Sequence, residues 1–242
     1  MNNKANDKTF KLPRLYTDEA LVDQGVIALS TGQAHYLNNV LRKKDGEAIR
    51  LFNGKDGEWV GVLQNLSKKS GEARLDKQII EQPTRAKRIH LIFAPIKKNR
   101  MDWLIEKAVE LGVSEIHPVL TQNTEVRKLK TERINHQILE AAEQCERLDI
   151  PTLHDIKNLG TLFDGWSKDI EIQACLERYD AQPIQSAHKS TNQDIAVLIG
   201  PEGGFTAEEK AHIAKFATPI TLGEQILRSE TAVIKALSIL DS

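Results

Sequence analysis

The sequence predicts an α/β protein preceded by a small β-barrel, and three observations carry that reading. From residue 89 onward, apolar runs of strand character alternate with amphipathic helical stretches, the pattern of a mainly parallel sheet with helices on both faces. Before it, three short strand-like pieces are separated by turn residues, as in a small barrel. Between the two, residues 81–88 contain Pro83 and few apolar side chains and read as a linker. The domains are expected at residues 1–80 and 84–242.

The first ten residues carry no pattern and are expected to be unstructured. Residues 33–42 read as a short helix with Tyr36, Leu37, Val40 and Leu41 on one face. Strands follow over 47–52, 58–66 and 72–80, bounded by Asn53-Gly54, Asp56-Gly57 and Ser70-Gly71. In the second domain, 89–94 is an apolar strand. Residues 99–111 form a helix that buries Met101, Leu104, Ile105, Ala108 and Leu111 and stops at Gly112. Then come a strand over 113–120, a helix over 131–148, and strands over 170–176, 195–199 and 220–222. Thr206 and Glu209 form a capping box for a helix reaching Phe216. The last helix places Val233, Ala236, Leu237 and Leu240 on one side.

Composition excludes several classes. No apolar run approaches the roughly 20 residues of a membrane helix, and the N-terminus lacks the apolar segment of a secretory signal. Cys145 and Cys175 show no pairing pattern, which suits a reducing cytoplasm. Seven His residues are scattered without ligand spacing, so no metal is expected. The net charge of −1 hides an asymmetry: residues 1–100 carry 19 Lys and Arg against 11 Asp and Glu, and the remainder 14 against 23. A basic front half points to a polyanion; solvated loops at Lys68-Lys69 and Lys97-Lys98 are the plainer reading.

Two glycine-bearing stretches carry the functional signal. Leu198-Ile199-Gly200-Pro201-Glu202-Gly203-Gly204 ends an apolar strand, and Leu222-Gly223-Glu224-Gln225-Ile226-Leu227-Arg228 leads into the last helix. Loops at the carboxyl ends of strands are where an open α/β sheet holds its small molecule. Neither is a P-loop nor a dinucleotide fingerprint. Apolar side chains beside free backbone groups suit a flat heteroaromatic ring such as adenine. Arg228, Glu230 and Thr231 would then stand beside the reacting part of the ligand.

These residues resemble those of the RsmE-type ribosomal RNA methyltransferases of the SPOUT superfamily. The likeness rests on Pro13-Arg14-Leu15-Tyr16, on His35…Val40-Leu41-Arg42…Gly46…Gly54, and on Glu106-Lys107-Ala108-x-Glu110-Leu111-Gly112-Val113. It continues through Glu143-Gln144-x-x-Arg147…Pro151, Leu198–Gly204 and Leu227-Arg228-x-Glu230-Thr231-Ala232. It implies an N-terminal PUA-like β-barrel, and a C-terminal SPOUT α/β domain tied in a deep trefoil knot. It implies S-adenosylmethionine as cofactor and methylation of N3 of a uridine in 16S ribosomal RNA, within the small ribosomal subunit. It further implies a cytoplasmic homodimer with no membrane and no metal. By similarity Leu176, Ile199, Gly200, Glu202, Gly203, Gly204, Leu222, Gly223, Ile226, Leu227 and Arg228 line the donor pocket. One departure stands out: Asn123 occupies a loop where the family usually has Arg, with Arg127 nearby.

The expected catalytic residues are Arg228, Glu202 and Glu230. Losing the N3 proton spreads negative charge onto the ring carbonyl oxygens, which the Arg228 guanidinium suits; pairing with Glu230 as a helix cap is the plainer role. Glu202 could accept the proton or hold the donor's positive end, and a solvated turn is its alternative. Lys107 reads as surface or as a contact to a neighbouring subunit. Arg14, His35, Arg42, Lys43 and Lys44 are expected phosphate contacts; for Arg42, Lys43 and Lys44 a plain helix end is the alternative, and Trp59 reads as core. Two other functions remain open: a methyltransferase of a ribose hydroxyl or another base in tRNA or rRNA, and a non-catalytic RNA-binding assembly factor.

Overall fold

The computed structural model describes residues 8–84, 87–187 and 193–241. It divides into two compact units, Met1–Thr84 with Glu146–Asp149, and Arg85–Cys145 with Ile150–Ser242. This boundary corrects the charge argument. By these limits the first unit holds 14 Lys and Arg against 13 Asp and Glu, and the second 19 against 21. The cations crowding residues 85–100 belong to the α/β unit, so neither unit is strongly charged.

In the first unit, β1 (Arg14–Tyr16), β2 (Val26–Ala28), β3 (Ala48–Phe52), β4 (Glu58–Gln64) and β5 (Glu72–Ile80) form one sheet in the order β1-β3-β4-β5-β2. Only β1 and β3 run parallel. The edge strands β1 and β2 do not pair with each other, so the expected barrel is open. Leu15, Ile27, Leu37, Ile49, Leu51, Leu63 and Leu75 fill its core. Residues 8–11 form a 3-10 turn; the rest of the expected unstructured stretch lies outside the described residues.

The helix expected over 33–42 is split. α1 (Thr31–His35), closed by a Ser30–Gln33 capping box, runs into a π turn over Tyr36–Val40, where the Leu41 N–H donates to the Tyr36 carbonyl at 3.0 Å. The wider turn shifts the phase of the apolar face. Leu37 stays buried, whereas Tyr36, Leu41 and Val40, the last 60% exposed, face solvent.

Glu58, with 0% exposure, is the charged centre of this unit. Its Oε1 lies 3.0 Å from Arg14 Nε and 3.2 Å from Arg50 Nη1. Arg50 Nη2 reaches Glu146 Oε1 at 2.7 Å and the Phe10 carbonyl at 3.0 Å, and Arg14 donates to the Arg147 carbonyl at 2.8 Å. The Arg14 guanidinium also lies 3.5 Å above the Phe52 ring. Burial lowers the Arg14 pKa while Glu58 opposes that shift. These bonds join the N-terminal segment, β3, β4 and Glu146–Asp149 into one body. Removing one partner of a buried pair strands the other charge. Glu58→Gln should therefore destabilise this unit by about 3–5 kcal/mol. Urea unfolding followed by Trp59 fluorescence, with Trp103 and Trp166 replaced by Phe, measures it; a loss below about 1 kcal/mol would contradict the role assigned to Glu58.

In the second unit the elements are β6 (Ile89–Phe93), α2 (Lys98–Glu110), β7 (Glu115–Leu120), α3 (Thr131–Gln144), β8 (Thr152–Leu153), β9 (Lys157–Asn158), α4 (Leu159–Asp164), β10 (Glu171–Cys175), β11 (Gln182–Pro183), α5 (Ile184–Ala187), β12 (Ile195–Ile199), α6 (Ala207–Ile213), β13 (Thr218–Thr221) and α7 (Ser229–Leu240). All strand pairs are parallel, in the order β11-β13-β10-β12-β6-β7-β8, with β9 on β7. One face packs on α2, α3 and α7 through Leu104, Ile138 and Val233; the other packs on α4 and α6 through Phe163 and Ile213. Two expected helices end early. Glu146, at φ +57°, stops α3 short of residue 148, and α6 stops at Ile213, leaving Phe216 exposed. The capping box at Thr206 and Glu209 and the turn at Gly112 (φ +81°) are as expected.

Candidate cofactor pocket and nucleic-acid surface

Three neighbouring parallel strands, β13, β10 and β12, end at a cavity of about 520 Å³. Its walls are the chain just beyond each strand. Leu176 follows β10, Ile199 closes β12 with Gly200, Glu202 and Gly204 after it, and Leu222, Gly223, Ile226, Leu227 and Arg228 follow β13. Gly203 is the predicted lining residue that does not line it. It faces the other way, where an added Cβ would meet the Asn123 Cβ at 2.9 Å. The sequence reading missed Cys175, Tyr179, Phe205 and Lys210, which also line the cavity; Cys175 and Phe205 adjoin predicted residues in the chain, whereas Tyr179 and Lys210 are brought there by folding.

The glycine loop is held from several sides. A Cβ on Gly200 would sit 2.8 Å from the Phe205 ring, so only glycine fits while that ring is buried behind it. Asn123 Nδ2 donates to the Gly203 carbonyl at 3.1 Å and to the Gly204 carbonyl at 3.0 Å. Ser229 Oγ, at the start of α7, donates to the Gly200 carbonyl at 2.9 Å. The Gln122 N–H reaches Glu209 Oε1 at 2.8 Å, docking the 121–124 turn on the start of α6. Asn123, at the position where the resemblance leads one to expect Arg, is thus a clamp on the pocket loop.

Charges converge on the same loop. Arg100, near the start of α2, places Nη2 2.8 Å from Glu202 Oε1 and Nη1 3.8 Å from Glu230 Oε2. Glu230 is only 6% exposed, and its Oε2 has no hydrogen-bond partner. It does not line the cavity; its nearest cation is Arg100, and the Arg228–Glu230 helix cap considered from sequence does not form. Arg228 is the N-cap residue of α7 without a side-chain cap bond, and its exposed guanidinium stands at the cavity wall without an ion pair among the described residues. Arg100 escaped the sequence reading because its partners lie 102 and 130 positions away.

On the first unit, His35, Arg42 and Lys44 are exposed near Tyr36, Val40 and Leu41. Lys43 Nζ is engaged by Glu47 Oε1 at 2.8 Å, and Arg42 takes a left-handed φ of +55°. Arg14 is a correction: burial and the Glu58 pairing commit its guanidinium to the core, so it is not placed to meet a phosphate. Trp59 packs on the core and donates Nε1–H to the Asp56 carbonyl at 2.9 Å. Lys107 bonds Glu106 and Glu110 of its own helix, both at 2.8 Å, and Arg127 lines a separate, shallower cleft beside α6.

A family model described as an RNA methyltransferase domain matches residues 83–241. The chain belongs to the RNA methyltransferase family. A second model, an RNA methyltransferase PUA domain, matches residues 29–76. Ribosomal RNA small subunit methyltransferase E of Rickettsia conorii is 32% identical over 234 residues, 94% of each chain. A methyltransferase of Legionella pneumophila, solved with bound cofactor SAM, superposes with a TM-score of 0.85 at 29% identity, covering 95% of this chain and 96% of that one. Ribosomal RNA small subunit methyltransferase E of Neisseria gonorrhoeae, solved with S-adenosyl methionine, gives 0.84 at 29% identity over 93% and 95%. The two matched regions fall largely in the two separate structural units.

The pocket offers a chemical marker. Burial pushes the Cys175 thiol up to about 12, so it stays protonated at neutral pH, whereas Cys145 is exposed. Only thiolate reacts readily. At pH 8 a disulfide reagent should label Cys145 at least tenfold faster than Cys175, read by mass spectrometry of the peptides; equal rates would contradict the buried pocket wall.

Proposed function

We propose that this protein methylates N3 of a uridine in 16S ribosomal RNA, using S-adenosylmethionine. The observation that carries the reading is the cavity at the carboxyl ends of β10, β12 and β13, walled by glycine backbone and apolar side chains. Its size and lining fit a nucleoside. The names of the curated relatives, and the cofactor in the solved neighbours, support the choice of donor and RNA. When bound, the donor supplies an electrophilic methyl group on a sulfonium.

The chain's residues do the rest. Leu222 and Leu227, with the backbone of Gly200 and Gly204, hold the adenine. Glu202, fixed by Arg100 at 2.8 Å, sets a negative group at the cavity wall that would favour a cationic donor. Glu230 acts through Arg100 as a positioning residue. Arg228, without an ion-pair partner among the described residues, would stabilise the charge that develops on the pyrimidine carbonyl oxygens as the N3 proton passes to water. His35, Arg42, Lys43 and Lys44 hold phosphates without reading sequence. The proposal includes a cytoplasmic homodimer acting on the small ribosomal subunit. It also includes a deep trefoil knot, supported by β13 lying outside β10 while α7 returns to pack on α2 and β12. No described helix is long and apolar enough to cross a membrane.

Small subunits from cells lacking the gene, incubated with protein and donor, should yield 3-methyluridine on nucleoside mass spectrometry. A ribose-methylated nucleoside, or no product, would contradict the reading. Arg228→Ala should lower kcat by about 10²–10³-fold with donor affinity changed less than about threefold. Equal loss of both would show that Arg228 only shapes the pocket.

A further inference from the structure

The sequence offers no metal spacing, yet the fold assembles a ligand set at the end of the sheet remote from the pocket. Glu115 and His117 stand two apart on β7 and so project from one face. β8 runs parallel to β7 in the register Glu115↔Thr152 and Ile116↔Leu153, which carries His154 beside His117. The His154 N–H bonds the Ile116 carbonyl at 2.9 Å, and the two imidazoles stack with centroids 4.1 Å apart. On the other side of β7, His90 pairs in register with Glu115. His90 and Glu115 lie near the amino ends of β6 and β7, His117 two residues further along β7, and His154 just beyond the short strand β8.

We propose that Glu115, His117 and His154 form a binding site for a divalent transition-metal ion of the zinc class, clipping the edge strand β8 to β7. Their ligand atoms lie within 4.8 Å of one another. A tetrahedral zinc with bonds of 2.0–2.1 Å needs ligand atoms about 3.3 Å apart and each imidazole lone pair aimed at the ion, so closing the set requires one of the two stacked rings to turn out of the stack. One edge is already closed: His154 Nε2 lies 2.7 Å from Glu115 Oε2, where the ion would take the place of the shared proton. Two imidazoles and a carboxylate are the donors borderline ions prefer, and three ligands leave one position for water.

The surroundings match a ligand set better than a packed core. His117 is 9% exposed, and its Nε2 is 3.1 Å from His90 Nδ1, the kind of outer partner that fixes the ring of a metal-binding histidine. His90 Nε2 is buried without a hydrogen bond, with Asp194 Oδ2 4.0 Å away. Trp166 closes the cluster edge-on, its ring centroid 5.2 Å from His117 and 5.5 Å from His90. Arg88 competes for Glu115, but only at 3.6 Å, through Oε1, and from an exposed position.

The test is calorimetric titration of tag-free, chelator-stripped protein with zinc chloride. One ion per chain should bind at micromolar concentration or tighter, and unfolding should shift upward by about 5 °C at hundredfold excess over Kd. His154 is partly exposed, so His154→Ala should fold normally and weaken binding at least 100-fold; Glu115→Gln should weaken it at least tenfold. His136→Ala, which alters an exposed histidine beside Glu140, should change nothing. Absence of binding at 100-fold molar excess, or stoichiometric binding that survives His154→Ala or is lost in His136→Ala, would overturn the proposal. Donor binding, read on the same samples, should be unaffected.

Discussion

The pocket depends on how four residues from a long sequence span hold one glycine loop. Phe205 fills the space a side chain on Gly200 would need, Asn123 takes the Gly203 and Gly204 carbonyls, Ser229 takes the Gly200 carbonyl, and Arg100 holds Glu202. Phe205 packs sterically, whereas the Asn123, Ser229 and Arg100 contacts each satisfy a backbone carbonyl or a charge of the loop. The loop is therefore braced by side chains on several sides. Its glycines serve close packing at Gly200 and a left-handed φ of +67° at Gly204.

The parallel sheet makes this possible. With every strand running the same way, the carboxyl ends of β10, β12 and β13 lie side by side and deliver three connections to one place. His90 of β6, His117 of β7 and His154 just after β8 gather away from that pocket. One sheet thus presents two separate chemistries, and a change at one end need not disturb the other. The first unit solves a different problem. Its open sheet of short strands has a small core, and the buried Glu58, shared between Arg14 and Arg50, binds distant segments of chain into it.

Much of this was legible in the residues. Strand β12 was read to the residue because five consecutive apolar side chains between polar ends admit little else, and the two glycine stretches announced the pocket because glycine marks close backbone approach. What stayed hidden is long-range or too short to have a period. β8, β9 and β11 have two residues each. The π turn at Tyr36–Val40 redirects a face that helical spacing placed in the core. Arg14 looked like a phosphate contact because sequence does not show that Glu58, 44 residues on, lies beneath it. The charge asymmetry dissolved because the domain boundary, not the midpoint of a count, decides which cations share a surface.

The central claim is that the loop at 200–204 and the segment at 222–228 together hold the methyl donor. A crystal structure of the protein grown with S-adenosylmethionine tests it most directly. The account predicts adenine against the backbone of Leu222 to Leu227, with the sulfonium directed toward Glu202 and Arg228. Donor bound elsewhere on the chain, or a cavity filled by the protein's own side chains, would contradict it.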